Sequence, residues 1–203
     1  ELDQKYPEIS RQVHKDLLKG NHIEEAACLR LIMTTGIRPG SNKDTQAKKK
    51  AYGATTLEGR HVVVDSKGQI SLQFTGKKGV DLNIPVTDKV VAKDLILRSK
   101  VAGINGKLFN INEKSLLSYT HTQDGGSFKT KDFRTLLGTK TAMEEVEKTK
   151  APSTQKEYIK SVMNVAKTVS AKLGNTPTIA LKAYIYPGVF DKWKMSYEGK
   201  HND

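Results

Sequence analysis

The sequence predicts an α+β fold, mostly α-helical, with one small three-stranded antiparallel sheet. Three observations carry this. Apolar residues recur at helical spacing across residues 7–35. The period shifts to two across 60–86, in three short runs separated by glycine-containing turns. From 88 to 196 the helical spacing returns, interrupted by capping residues and glycines. The 203 residues read as a single domain, 1–203, long enough to bury a core without disulfide or metal staples.

The elements follow in order. Ile9, Val13, Leu17 and Leu18 are expected to share one helix face, and Gly20-Asn21 breaks that run. Residues 23–33 read as a mostly buried helix through Ala26, Ala27, Leu29, Ile32 and Met33, ending near Gly36. Cys28 inside it reads as a small core hydrophobe rather than a reactive thiol. Arg38–Lys50 is polar, ends in three lysines and reads as a loop. Arg60–Asp65, Gln69–Thr75 and Val80–Pro85 alternate as strands, joined by turns at 66–68 and 76–79. Val90, Val91, Leu95, Ile96 and Leu97 mark the next helix, and Ile111–Thr122 another, with Asn110 or Asn112 as its N-cap. After the break at 124–127, Lys131–Lys148 is helical, and Ser153-Thr154 starts a long helix to Leu173. Tyr158, Val162, Val165 and Val169 form its inner face. A short helix follows Asn175-Thr176-Pro177, and 187–195 reads as the last.

Composition narrows the function. Lys and Arg number 34 against 22 Asp and Glu, a net charge of +12, which points to a polyanionic partner. The plainer alternative is that the excess lysine only confers solubility. No stretch approaches the roughly 20 consecutive apolar residues of a membrane helix, so no membrane association is expected. A lone cysteine excludes an internal disulfide framework and fits a reducing, intracellular compartment. The chain starts at Glu1 without a Met, so the native N-terminus is open. Among His14, His22, His61, His121 and His201 no pair has the spacing of a zincin helix, and one cysteine cannot build a thiolate site. There is no P-loop, no GxGxxG and no GxSxG. No metal and no cofactor are expected.

What stands out is a set of cations at positions the backbone would fix. Arg38 follows a helix end, Lys77 sits in a tight turn between strands, and Arg134 lies on a helix. Two guanidinium groups and one ammonium converging on a phosphodiester would stabilise a pentacoordinate transition state without a metal. Taken singly, each is an ordinary solvated charge. Such a reaction needs a nucleophile, and a tyrosine phenol beside cations is suited to it. Of the seven tyrosines, Tyr158 reads as core; Tyr184 and Tyr186 lie near the end of the chain, and periodicity does not choose between them.

Five segments in order carry a resemblance: TTGIRPG around Arg38, AYGATTLEGRHV from Ala51, FTGKKGV from Phe74, FKTKDFRT from Phe128 and LGNTPTIALKAYIYPGV from Leu173. Over about residues 24–189 the chain resembles the catalytic domain of type IB DNA topoisomerases, in the small form of bacteria and large DNA viruses. The resemblance implies the tyrosine recombinase/topoisomerase IB catalytic-domain fold. It also implies nicking of duplex DNA through a 3′-phosphotyrosyl link, strand rotation and resealing, without ATP or metal. Tyr184 would be the nucleophile. Arg38, Arg134 and Asn175 would hold the non-bridging oxygens, and Lys77 would be the general acid for the leaving 5′-oxygen. Tyr186 would be the wrong member of the pair, and Lys78 an understudy for Lys77. Lys48, Lys49, Lys50, Tyr52, Arg60, Lys78 and Lys131 would contact DNA. A monomer acting on DNA in a bacterial cytoplasm or nucleoid, or in a viral setting, is implied.

Two departures bear on this. Residues 39–50 differ from the family pattern, with one extra residue before Tyr52. The small β-rich domain that usually precedes this one has no counterpart in the sequence, so a half clamp with steep salt dependence is expected. The nearest alternative is a tyrosine recombinase or integrase catalytic domain. It usually carries H-x-x-R at the second arginine, where this chain has Lys131, and His or Trp where it has Asn175. A second alternative is a basic DNA-binding module without catalysis.

Overall fold

In the computed structural model, which describes residues 1–199, Leu2–Lys19 forms α1 and Ile23–Thr35 forms α2. His201 lies outside the described residues. Gly20 and Gly36 close the two helices in the left-handed region, φ 72 and 71°, where a residue without Cβ meets no steric penalty. The α1 face differs from expectation. Ile9 and Val13 are buried, but Leu18 is 76% exposed and Asp16 takes the inner position. Its Oδ2 accepts the buried Tyr119 hydroxyl at 2.7 Å, which offsets the cost of burying a carboxylate. α2 is apolar on most sides because it packs against several elements. It touches α1, the strand Asp81–Val86, α4 (Lys89–Ala102) and α5 (Glu113–Thr122).

The polar stretch 38–50 is not wholly a loop. Ser41 accepts the Lys43 N–H at 3.1 Å and nucleates a five-residue helix, α3, Asn42–Gln46. The sheet is a meander, β1 Val62–Val64, β2 Ile70–Thr75 and β3 Asp81–Val86, antiparallel in the order β1-β2-β3. Leu72 pairs with Val62 on one side and Ile84 on the other. Ile70, Leu72 and Phe74 alternate inward with Ile84 and Val86. Pro85 fits because β3 is an edge strand, where a missing N–H breaks no ladder. The first strand starts later than its alternation suggests. Gly59–His61 forms a 3-10 turn, with Gly59 and Arg60 N–H groups donating to the Gly106 and Ile104 carbonyls.

Asn112, not Asn110, caps α5, with its side chain accepting the Ser115 N–H at 2.9 Å. Then follow α6 Thr130–Lys148, α7 Gln155–Leu173, α8 Pro177–Ala183, a 3-10 turn Pro187–Phe190, and α9 Asp191–Glu198. Thr154 caps α7 and Thr176 caps α8, where Pro177 takes the first helical position. The residues gather into two compact units, Glu1–Arg134 and a second beginning at Thr135. The first has its core in Leu29, Leu31, Ile32, Leu57, Leu72, Leu95, Phe109 and Leu116. The second closes α7, α8 and α9 over Ala142, Val165, Val169, Leu173, Ala180, Ile185, Phe190 and Trp193. Among the described residues, no helix is long and apolar enough to cross a membrane.

Candidate active site

Arg38 emerges from the left-handed end of α2, where Gly36 N–H returns to the Ile32 carbonyl at 2.8 Å and Ile37 is buried. Its own carbonyl accepts the Ala54 N–H at 2.8 Å, and the Pro39 carbonyl accepts the Thr55 N–H at 2.8 Å. Gly53 allows this approach: a Cβ there would lie 2.6 Å from the Arg38 carbonyl oxygen. The same segment reaches the lysine hairpin, because Tyr52 N–H donates to the Thr75 carbonyl at 2.9 Å. Residues 52–54 therefore bridge the Arg38 turn and the end of β2, two residues before Lys77. The guanidinium groups of Arg30, Arg60 and Arg98 are committed to Asp88, Glu58, and Glu24 with Asp94. Arg38 is half-buried and has no carboxylate partner among the described residues.

Lys77 lies in a 3-10 turn, Lys77–Gly79, closed by Gly76 N–H to the Val80 carbonyl at 2.7 Å and Gly79 N–H to the Gly76 carbonyl at 3.0 Å. Lys77 and Lys78 are both exposed, but Lys78 has φ 64°, a left-handed conformation that a side chain rarely takes. Lys49 joins this turn. Its side chain lies directly over Gly79, so that a Cβ there would overlap its ammonium end. Lys48 and Lys50 are exposed on either side. Three ammonium groups around one short turn repel each other, an arrangement suited to an anion.

Tyr52 is 9% exposed and stands edge-on to His61, with ring centroids 4.5 Å apart. Its hydroxyl accepts from Arg60 Nη2 at 3.0 Å, and Arg60 Nε donates to Glu58 at 2.7 Å. Arg60 thus covers Tyr52 twice, bonded to its hydroxyl and with the guanidinium carbon 5.7 Å from the ring centroid. Burial first, and then the Arg60 charge, hold the His61 pKa down to about 4, against the opposing pull of Glu58. Burial likewise pushes the Cys28 thiol up, in keeping with an inert core residue.

Arg134 is 1% exposed on α6, the largest fully buried side chain among the described residues, and Lys131 is exposed in the first turn of the same helix. In the second unit, Gly174 ends α7 at φ 68°, and the Asn175 N–H returns to the Ser170 carbonyl at 3.1 Å. This fixes Asn175 between two helices. Its Oδ1 and Nδ2 are both buried, and neither has a hydrogen-bond partner among the described residues. An unsatisfied buried amide costs about 1–3 kcal/mol, so it is a feature that asks for a ligand. Tyr184 caps the C-terminus of α8, its N–H donating to the Ala180 carbonyl at 3.0 Å, and is 4% exposed; Tyr186 is 67% exposed. Sequence reasoning missed Gly138 and Thr139, which touch the Tyr184 backbone from α6; neither carries a local motif. Arg38, Lys77 and Arg134 belong to the first unit, Asn175 and Tyr184 to the second. No group of three or more His, Cys, Asp or Glu that could hold a metal occurs among the described residues.

Comparison with known proteins bears on these residues. The chain is 27% identical over 174 residues to a DNA topoisomerase 1B of Acanthamoeba polyphaga mimivirus, an alignment covering 77% of this chain and 51% of that protein. The chain spans about half the length of the curated relative it matches. The family model described as eukaryotic DNA topoisomerase I, catalytic core, matches residues 1–201, a span that contains every residue placed above. The chain belongs to the DNA topoisomerase I catalytic-core family.

Proposed function

We propose that residues 1–203 are one catalytic domain of a type IB topoisomerase, a monomer acting on duplex DNA inside a bacterial cell or a virus-infected one. Tyr184 Oη gives its proton to solvent and attacks the scissile phosphorus, the bond to the 5′-oxygen breaks, and Lys77 Nζ donates the proton that oxygen needs. Arg38 and Arg134 neutralise the non-bridging oxygens, and Asn175 Nδ2 donates to one of them. The 3′-phosphotyrosyl link keeps the energy of the phosphodiester, so resealing needs no ATP. The guanidinium and ammonium charges supply the electrostatic stabilisation that a metal supplies elsewhere. The free 5′ strand rotates, supercoils relax, and the reverse reaction uses Lys77 as base.

The observation that carries this reading is the Asn175 amide, buried with both polar atoms unsatisfied, nine residues before Tyr184. An anionic oxygen arriving there would satisfy Nδ2 in a water-poor setting, where such a bond is strongest. The test is covalent capture on a suicide duplex, with relaxation of supercoiled plasmid in EDTA and without ATP. Wild type should form a protein–DNA adduct and relax the plasmid, and Tyr184→Phe should do neither. Adduct without relaxation would favour a recombinase. DNA binding that Tyr184→Phe leaves intact, with no adduct from wild type, would leave only a binding module.

A further inference from the structure

A single hydroxyl on α6 holds the backbone just after Tyr184, on either side of Ile185. Thr139 Oγ1 donates to the Tyr184 carbonyl at 3.3 Å and accepts the Tyr186 N–H at 3.2 Å. Thr120 and Thr141, also in helices, turn the hydroxyl onto their own helix and donate to the carbonyls of Leu116 and Leu137, four residues earlier. Thr139 instead reaches the segment leaving α8. Beside it Gly138 is buried, and a Cβ there would lie 2.6 Å from the Tyr184 carbonyl oxygen and 3.2 Å from Tyr184 Cβ. The helix surface is cut back here to admit Tyr184, with the Leu173 side chain alongside.

The clasp matters because α8 ends here. Tyr184 has φ −131° and ψ −4°, outside helical geometry, so the chain leaves the helix at this residue. Tethering the Tyr184 carbonyl holds the peptide plane after Tyr184, and the Tyr184 N–H, donating to the Ala180 carbonyl at 3.0 Å, holds the plane before it. The direction of its Cα–Cβ bond is then set by α6 and α8 together.

We infer that Thr139 is a positioning residue for the nucleophile, with Gly138 providing the space that lets the clasp close. This rests on the reading of Tyr184 as the nucleophile. Thr139 touches neither substrate nor reacting atoms in this role; it acts by holding the attack geometry, which is where displacement costs rate. It makes no demand on DNA affinity.

The experiment measures single-turnover adduct formation on a suicide duplex, and duplex affinity, for the full chain and three variants. Thr139→Val keeps the shape and the methyl but removes both bonds, and is expected to slow adduct formation about tenfold or more. Thr139→Ser keeps the hydroxyl and loses the methyl, and should stay within about threefold of wild type. Affinity should be the same for all. Gly138→Ala keeps the hydroxyl but displaces the Tyr184 carbonyl, and should also slow adduct formation; it carries the test if Thr139→Val does not fold. Thr139→Val at the wild-type rate would overturn the inference, as would equal slowing by Val and Ser, which would assign the effect to packing. No adduct from wild type would instead overturn the reading of Tyr184 itself.

Discussion

The Glu58 N–H donates to His61 Nδ1 at 2.9 Å, so the neutral ring carries its proton on Nε2. A second proton would have to displace that bond in a site that is 6% exposed and faces Arg60. With a folded pKa of about 4 and an ordinary unfolded value near 6.5, the unfolded chain takes up the proton first as pH falls. Stability from this group is therefore complete above about pH 6.5, declines between there and about pH 4, and changes no further below that. At pH 5 the loss should be about 2 kcal/mol. Urea unfolding at pH 7.5 and pH 5 should show wild type losing more than His61→Gln; an equal loss would mean that the ring is not held neutral. Nothing at residue 61 announces this in the sequence. It depends on a 3-10 turn that returns the ring to Glu58, and on strand alternation stopping at Val62 rather than Arg60. The backbone features carrying Arg38 and Lys77, a helix end and a tight turn, were legible for the opposite reason: glycines beside each mark them.

Among the elements, the turn between β2 and β3 separates two lysines that sequence alone leaves interchangeable. Lys77 keeps ordinary backbone geometry, whereas Lys78 occupies the left-handed region at φ 64°. A side chain there costs roughly 1 kcal/mol relative to glycine. Lys78→Gly should therefore raise hairpin stability by about 1 kcal/mol in thermal or urea unfolding. It should weaken DNA binding slightly and slow cleavage at saturating DNA by less than about tenfold, whereas Lys77→Ala should lose on the order of 10²–10⁴. A 5′-bridging phosphorothiolate, whose thiolate leaves without a proton, should restore much of the Lys77→Ala rate. Rescue of Lys78→Gly instead would exchange their roles. The sheet was readable because its period of two and its turn glycines are local. The short helix α3 was not, since it rests on one Ser41 cap within a lysine-rich stretch. Leu18 was misplaced because helical spacing cannot know that Tyr119, a hundred residues away, holds Asp16 on the inner face.

Over the whole molecule, the excess of positive charge gains meaning from which cations are already neutralised. Arg30, Arg60 and Arg98 brace the first unit through carboxylates, so they add little to an external field. The lysines at 48–50 are exposed, with Lys49 drawn over the turn that carries Lys77. If these three meet phosphates, each releases a counterion on binding, and log K against log[salt] falls with a slope of about −0.9 per contact. Replacing Lys48, Lys49 and Lys50 together by Ala should make that slope shallower by about 2 to 3, equally on unrelated duplex sequences, since phosphate contacts carry no base information. The same change in three lysines that serve only solubility would leave the slope where it was. Lys49 should also stand apart from its neighbours. Its position over Gly79 ties it to the turn that carries Lys77, so if Lys77 is the general acid, Lys49→Ala alone should lower the cleavage rate at saturating DNA, whereas Lys48→Ala and Lys50→Ala should change affinity only. Equal effects from all three would reduce Lys49 to one more backbone contact, and would leave the crowding around Gly79 a matter of packing rather than of chemistry.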